Sequence, residues 1–281
     1  MKLGSFRLNG RNTYGIFTDR GVVDLGKRLG AKHPDLKALI AADALAEARA
    51  AAGSAPDAAL EAISYLPVIP NPGKILCIGL NYEEHRKETK RDKTENPSVF
   101  TRFAESQIGH AQPMLRPRES TMFDYEGEIA LIIGRAGRRI AEADAWNHIA
   151  GYSCYNDGSV RDWQRHTTQW IPGKNFVATG GFGPWMVSAD EIAPGTELEL
   201  TTRLNGQVMQ HATTEMLIFP IPRLIAYCST FAPLVPGDVI VTGTPGGVGM
   251  RREPPVWMKD GDTVEIEVSR VGLLRNTIAP D

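Results

Sequence analysis

The stretch Phe123-Asp124-Tyr125-Glu126-Gly127-Glu128-Ile129-Ala130-Leu131-Ile132-Ile133-Gly134 sets the fold. From Ile129 to Ile133 it is a short apolar run rich in β-branched residues and closed by glycine, which reads as a strand. Side chains alternate along a strand with a period of two. With the strand starting near Glu126, Glu126 and Glu128 fall on the same face. Two like charges side by side on an apolar strand repel and lose hydration. Either this end of the strand is solvated, or a divalent cation binds both groups. Gly127 between them lets another backbone or a substrate come close.

A second carboxylate lies further on. Gly151-Tyr152-Ser153-Cys154-Tyr155-Asn156-Asp157-Gly158 ends an apolar segment in a polar turn and leaves Asp157 at the end of a strand. Alone, Asp157 reads equally well as a turn or cap residue. Together with Glu126 and Glu128 it makes a set of hard oxygen donors. Such a set suits Mg²⁺, Mn²⁺ or Ca²⁺, not Zn²⁺ or Cu⁺.

Outward from this centre the chain has many short strands and few helices. Lys74 to Gly79, Asp238 to Thr242 and Thr263 to Val268 read as strands, and Leu198 to His211 as a hairpin turning at Asn205-Gly206. Glu83 to Asp92, Ala141 to Ile149 and Met216 to Phe231 have helical character. The expected class is mainly β (α+β).

The N-terminal part has a different texture. Lys2 to Leu8 and Tyr14 to Phe17 flank an Asn9-Gly10 hairpin signal, and Gly21 to Leu25 reads as a third strand. Asp35 to Ala52 is Ala-rich with helical spacing, capped by Asp35 and Gly53. Pro67-Val68-Ile69-Pro70-Asn71-Pro72-Gly73 then punctuates the chain. The expected organisation is a small β-rich accessory domain over 1–70 and a chemical domain over 73–281.

Bulk properties exclude several classes. At roughly 100–200 residues per domain, 281 residues make one large domain or up to two ordinary ones. With 31 basic and 33 acidic residues the net charge is −2, so no general attraction to nucleic acid or anionic membrane is expected. Apolar residues at 42% and charged residues at 23% rule out wholesale disorder. The N-terminus has no secretory apolar core, and Ile129 to Ile133 falls far short of the roughly 20 residues a membrane span needs. Cys77, Cys154 and Cys228 form no CxxC pair. They read as small buried apolar residues in a reducing cytoplasm.

The loop Thr242-Gly243-Thr244-Pro245-Gly246-Gly247-Val248-Gly249 follows a strand but carries neither GKS nor GKT, so it is no P-loop. Its exposed N–H groups and threonine hydroxyls suit a carboxylate.

Five blocks in this order and spacing resemble the fumarylacetoacetate hydrolase (FAH) family over roughly residues 73–281. They are Gly79-Leu80-Asn81-Tyr82-Glu83-Glu84-His85, Phe123 to Glu128, Gly151 to Asp162, Gly173-Lys174-Asn175-Phe176, and Thr242 to Gly249. The layout with a small preceding domain resembles the longer bacterial members, named as 5-carboxymethyl-2-hydroxymuconate isomerases and decarboxylases. The resemblance implies a mixed β-roll, a homodimer, and metal ligation by Glu126, Glu128 and Asp157. It also implies that His85 and Glu88 sit on a lid and activate water. One helical turn separates the two, so they can meet on one face. Lys174 is then the residue that holds a substrate carboxylate or an enolate oxygen, and Thr244 contacts the substrate's acid end. Gln164 matches a glutamine near the metal, and Tyr82 belongs to the same substrate-facing set.

Two departures stand out. Leu80 replaces an arginine common in acylpyruvase-like members, and Arg102 takes the place of a lysine, which by the resemblance makes it a candidate substrate contact. Trp163 to Trp170, including Arg165 and His166, is a further candidate pocket wall.

The expected enzyme cleaves a C–C bond of a 1,3-diketo acid such as an acylpyruvate or fumarylpyruvate, using Mg²⁺ or Mn²⁺, in aromatic or related carbon catabolism. Decarboxylation of an oxaloacetate-type 2-oxo acid, or keto–enol isomerisation of a hydroxymuconate type, uses the same enolate chemistry. The remaining alternative is a non-catalytic homologue that keeps a structural ion.

Overall fold

The computed structural model describes residues 1–281 and is mainly β, with few helices. Two mixed sheets carry the architecture. The larger has eleven strands, with the main path Gly21–Asp24, Arg11–Thr18, Lys2–Leu8, Gly180–Ser188, Ile149–Asp157, Gly127–Ile133, Val239–Val241, Ile75–Gly79, Ser98–Arg102. The smaller has five: Gln207–Thr213, Glu199–Leu204, Thr263–Val268, Gly272–Pro280 and Met114–Arg116. Most neighbours are antiparallel. Val239–Val241 runs parallel to Ile75–Gly79, and Gly272–Pro280 parallel to Met114–Arg116.

Gly127–Ile133 lies inside the larger sheet, and every residue of it is buried. Ile129, Leu131 and Ile133 join a cluster with Leu200, Val264 and Ile266 of the smaller sheet. Ala130 and Ile132 enter a second cluster on the opposite face. A strand covered on both faces needs apolar side chains at every position, which accounts for the unbroken run in its sequence. Burying each such Leu or Ile is worth about 1.5–3 kcal/mol. At Gly127 the sheets come so close that a Cβ would meet Thr202 Oγ1 at 2.0 Å. The close approach expected at this glycine is to a threonine of the facing sheet.

The first seventy residues are built into the same body. Lys2–Leu8 pairs with Gly180–Ser188 through Lys2↔Val187 and Leu3↔Met186. Leu3, Tyr14, Leu36, Leu39 and Ile40 share the second cluster with Ala130 and Val241. The hairpin turn at Asn9-Gly10 takes positive φ at both residues (51° and 77°), as its sequence demands.

Several helices are shorter than their periodicity suggests. The segment expected as one helix from Asp35 divides into Leu36–Ala41 and Leu45–Ala51, broken at Asp43 with φ 53°. Asp35 does cap the first, accepting from Ala38 N at 2.7 Å. The helix expected over Glu83 to Asp92 runs only from Glu83 to Glu88, with Lys90 left-handed at φ 56° just beyond. Glu142–His148 is a 3-10 helix, and the long C-terminal helix starts at Ile221, where Pro222 fits the first turn. No helix is long and apolar enough to cross a membrane. The three cysteines are free and buried.

Candidate active site

Strand pairing assembles the acidic floor. Gly127 pairs with Asn156 and Glu128 with Tyr155, while Asp157 N donates to Glu126 O at 2.8 Å. Glu126, Glu128 and Asp157 therefore converge at the open end of two adjacent central strands. All three are buried, and their ligand oxygens lie within 4.8 Å of one another.

Buried cations partly balance them. Lys174, closing the short helix Ile171–Lys174, puts Nζ 2.6 Å from Glu126 Oε2, 2.6 Å from Asp157 Oδ2 and 2.7 Å from Ser159 Oγ. Arg161, opening Arg161–Gln164, reaches Glu126 Oε1 at 2.6 Å and Asp124 Oδ2 at 2.8 Å. Arg102 donates to Asp157 Oδ1 at 2.5 Å and to Thr179 Oγ1 at 2.8 Å. Burial pushes the Glu126 carboxyl up, but Arg161 and Lys174 outweigh it and hold Glu126 well below the usual carboxylate range. Burial pulls the Lys174 ammonium down, yet Asp157 and Glu126 prevail and its pKa is raised. Glu128 has no such partner. It accepts only the Gly243 N–H, at 2.6 Å, and burial together with Asp157 and Glu126 raises its pKa well above normal.

This imbalance tests the fit of a metal. Four buried carboxylates (Asp124, Glu126, Glu128, Asp157) face three buried cations (Arg102, Arg161, Lys174), so that with all four ionised one negative charge is uncompensated. An unpaired buried charge is costly. A hard divalent cation among oxygen donors relieves that cost, so the residues present fit Mg²⁺ or Mn²⁺.

The short helix Glu83–Glu88 brings an imidazole to the site. His85 Nδ1 lies 2.7 Å from Glu88 Oε1, and Glu88 Oε2 accepts from Gly247 N at 3.0 Å. A carboxylate on Nδ1 fixes the proton there and leaves Nε2 free to accept. The glycine-rich loop gives its amides to this chain's own acids: Gly243 to Glu128, Gly247 to Glu88, and Gly249 to Asp124 at 2.8 Å. Gly247 has φ 96°, and a Cβ there would meet Met209 O at 2.3 Å.

These groups surround a cavity of about 80 Å³. Of the residues expected at the site, His85, Glu126, Glu128, Lys174, Gln164 and Thr244 line it. Asp157 lies beneath the floor under Lys174, and Glu88 stands behind His85. Arg102 is packed behind Asp157 and does not face the cavity; its charge serves the carboxylate, not a ligand. Tyr82 is buried immediately before the helix Glu83–Glu88, outside the cavity wall, and its hydroxyl has no partner. Thr244 Oγ1 is committed to Gly127 O at 3.0 Å and receives Gln210 Nε2 at 2.8 Å. Trp170 and Arg165 line the wall, whereas His166 does not.

Sequence reasoning missed Asp124, Gln210, Arg91 and Arg251. Asp124 sits in the deciding stretch, two residues before Glu126, and its place on the charged face was a usable signal. Gln210 gives none. It reaches Gly127 N and Thr244 only because its hairpin folds over the floor. Arg91 and Arg251 come from separate segments that meet at one cavity only in the folded chain.

The family described as fumarylacetoacetate (FAA) hydrolase C-terminal matches residues 74–279. The mitochondrial oxaloacetate tautomerase fahd2 of Xenopus laevis is 41% identical over 218 residues, covering 77% of this chain and 68% of that protein. The human oxaloacetate tautomerase FAHD2A is 38% identical over 232 residues, covering 82% and 74%. Among solved structures, a putative HpcE protein from Mycobacterium smegmatis superposes with a TM-score of 0.89 at 36% identity, covering 98% of this chain and 99% of that one. Maleylpyruvate hydrolase from Sphingobium sp. SYK-6, in complex with manganese(II) and pyruvate, gives 0.83 at 27% identity, covering 100% and 99%.

Proposed function

This chain belongs to the fumarylacetoacetate hydrolase family, and on that footing we propose that it is a divalent-metal-dependent enzyme interconverting the keto and enol forms of a small 2-oxo acid of the oxaloacetate type. One observation carries the reading. A free imidazole Nε2, fixed by Glu88, shares a cavity of about 80 Å³ with Lys174 and the acidic floor. That volume is well below the roughly 300–1,000 Å³ of drug-sized pockets, so the substrate has few heavy atoms.

Glu126, Glu128 and Asp157 are the residues that would hold Mg²⁺ or Mn²⁺, which when bound supplies Lewis-acid polarisation of the oxo group. His85 Nε2 takes a proton from the carbon beside the oxo group. The charge that develops on the oxo oxygen is met by Lys174 Nζ. Glu88 holds the imidazolium in place through Nδ1. His85 then returns the proton to that oxygen, so one C–H bond is exchanged for one O–H bond and no water is consumed. The closed lid keeps solvent from competing for the proton.

Hydrolytic cleavage of a 1,3-diketo acid is the second reading. It is favoured by the same His85–Glu88 pair, which is equally able to take a proton from water. The name of the Sphingobium relative supports it, at lower identity than the tautomerases. Oxaloacetate mixed with the Mg²⁺-loaded protein separates the two. Enol absorbance that relaxes faster than in buffer, with all carbon retained by NMR, supports tautomerisation. Accelerated cleavage of acetylpyruvate to pyruvate and acetate, with no effect on the enol, supports hydrolysis.

A further inference from the structure

The cavity is charged in two layers. Its floor mixes buried acids with buried cations, whereas its mouth carries only cations: Arg91 just past the helix Glu83–Glu88, Arg165 after Arg161–Gln164, and Arg251 at the end of Gly249–Arg251. All three are exposed. None is paired with a carboxylate, and the contacts of two are to backbone carbonyls. Arg165 Nε donates to Arg161 O at 3.1 Å, and Arg251 donates to Thr89 O at 3.3 Å. The rest of the lining includes the apolar Ile78, Leu80, Phe100, Trp170 and Met250 together with the neutral polar Thr89 and Gln164. The exposed charges that a ligand group extending from the buried floor can meet are therefore the three guanidiniums.

We propose that Arg91, Arg165 and Arg251 form the subsite that takes the distal carboxylate of the oxaloacetate-type acid. The proposal rests on the reading of the floor as the seat of the 2-oxo acid end. Guanidinium is suited to the task, because its fixed fork matches a carboxylate bidentately. Three segments contribute one arginine each, and the Arg251 contact to Thr89 O at 3.3 Å ties two of those segments together. The exposed rim also steers anions toward the mouth before binding.

The test uses the full-length, Mg²⁺-loaded protein and the variants Arg91→Gln, Arg165→Gln, Arg251→Gln and the triple. Binding of oxaloacetate and of pyruvate, which lacks the distal carboxylate, is measured by calorimetry, with turnover of oxaloacetate followed in parallel. Each single change is expected to lower the oxaloacetate-over-pyruvate preference about 3–10-fold, and the triple about 100-fold, mainly in KM. The salt dependence of kcat/KM flattens in step. An unaltered preference in the triple variant overturns the subsite, even with wild-type turnover intact. If the wild type binds the diacid more tightly, the variants erase that preference and no 2-oxo acid is turned over, the subsite stands and the proposed reaction fails. Thermal melting confirms folding, and Arg165→Lys is expected to recover part of the preference.

Discussion

Glu88 is fastened to Gly247. Its Oε2 accepts the glycine N–H at 3.0 Å while its Oε1 holds His85 at 2.7 Å, so the imidazole is aligned from the glycine-rich loop. Replacing His85 by Ala should cost about 10²–10⁴ in kcat, the usual worth of a general base. Glu88→Gln should cost about tenfold or more, since it keeps the shape but weakens the hold on Nδ1–H. The two losses should not add in the double variant, because both act through one imidazole. Full additivity would refute the coupling.

Gly247→Ala should be costly without touching substrate. Its φ of 96° suits glycine, and the added methyl meets Met209 O. A loss of about 1–3 kcal/mol by denaturant titration is expected, with kcat falling alongside. A variant as stable and active as the wild type would show that the loop relaxes freely.

Glu128 lacks a cationic side-chain partner and is disfavoured as a buried anion in the metal-free protein. Glu128→Gln should therefore leave the metal-free form at least as stable as wild type and remove its stabilisation by Mg²⁺ or Mn²⁺. For the wild type that stabilisation is about 2.7 kcal/mol at a hundredfold excess over Kd. Chelation should abolish both the melting shift and turnover. A melting temperature indifferent to divalent ions in the wild type would remove the metal assignment.

His110 stacks edge-on against Tyr65 at 4.8 Å, and its Nδ1 accepts Arg275 N at 3.1 Å. Burial, with Arg275 nearby, lowers its pKa to about 4. The ordinary value is about 6.5, so between these limits the unfolded chain binds a proton that the native chain refuses. Its contribution is present above pH 6.5 and is lost as pH falls toward 4, amounting to on the order of 1–3 kcal/mol. His110→Gln should thus gain on the wild type as pH drops from 7 to 4.5. Parallel stability curves would contradict this.

Leu3 lies fully buried in the core that also holds Ala130 and Val241. Leu3→Ala should cost about 2–5 kcal/mol and lower the single melting transition of the whole chain. A separate early transition, with the rest unaffected, would mean that the N-terminal segment melts independently.

Much of this was legible in the sequence, because both the strand and the acidic set are local patterns. Glu126 and Glu128 are two residues apart, and the apolar run after them states its own burial. Asn9-Gly10 and Asn205-Gly206 name their turns outright. Helix ends were less legible, since a single left-handed residue such as Asp43 or Lys90 is set by packing rather than by propensity. Residues that act across the fold were least so. Arg102 reads from its position as a substrate contact, but tertiary structure places it behind Asp157. Gln210, Arg91 and Arg251 gain meaning only when distant segments meet.

Any open sheet must end somewhere, and its last strand offers unpaired amides to whatever drifts by. Without Lys2–Leu8, that last strand would be Gly180–Ser188, nine residues long and next to the strand bearing Asp157. The first seventy residues move the border three strands outward, to Gly21–Asp24 with only four residues. There Val22 N already donates to Ala58 O at 2.8 Å, and Val22 O accepts Asp57 N at 2.8 Å. None of these residues lines the cavity; they serve as a selvedge, replacing a nine-residue border beside the strand of Asp157 with a four-residue one whose amide is already taken.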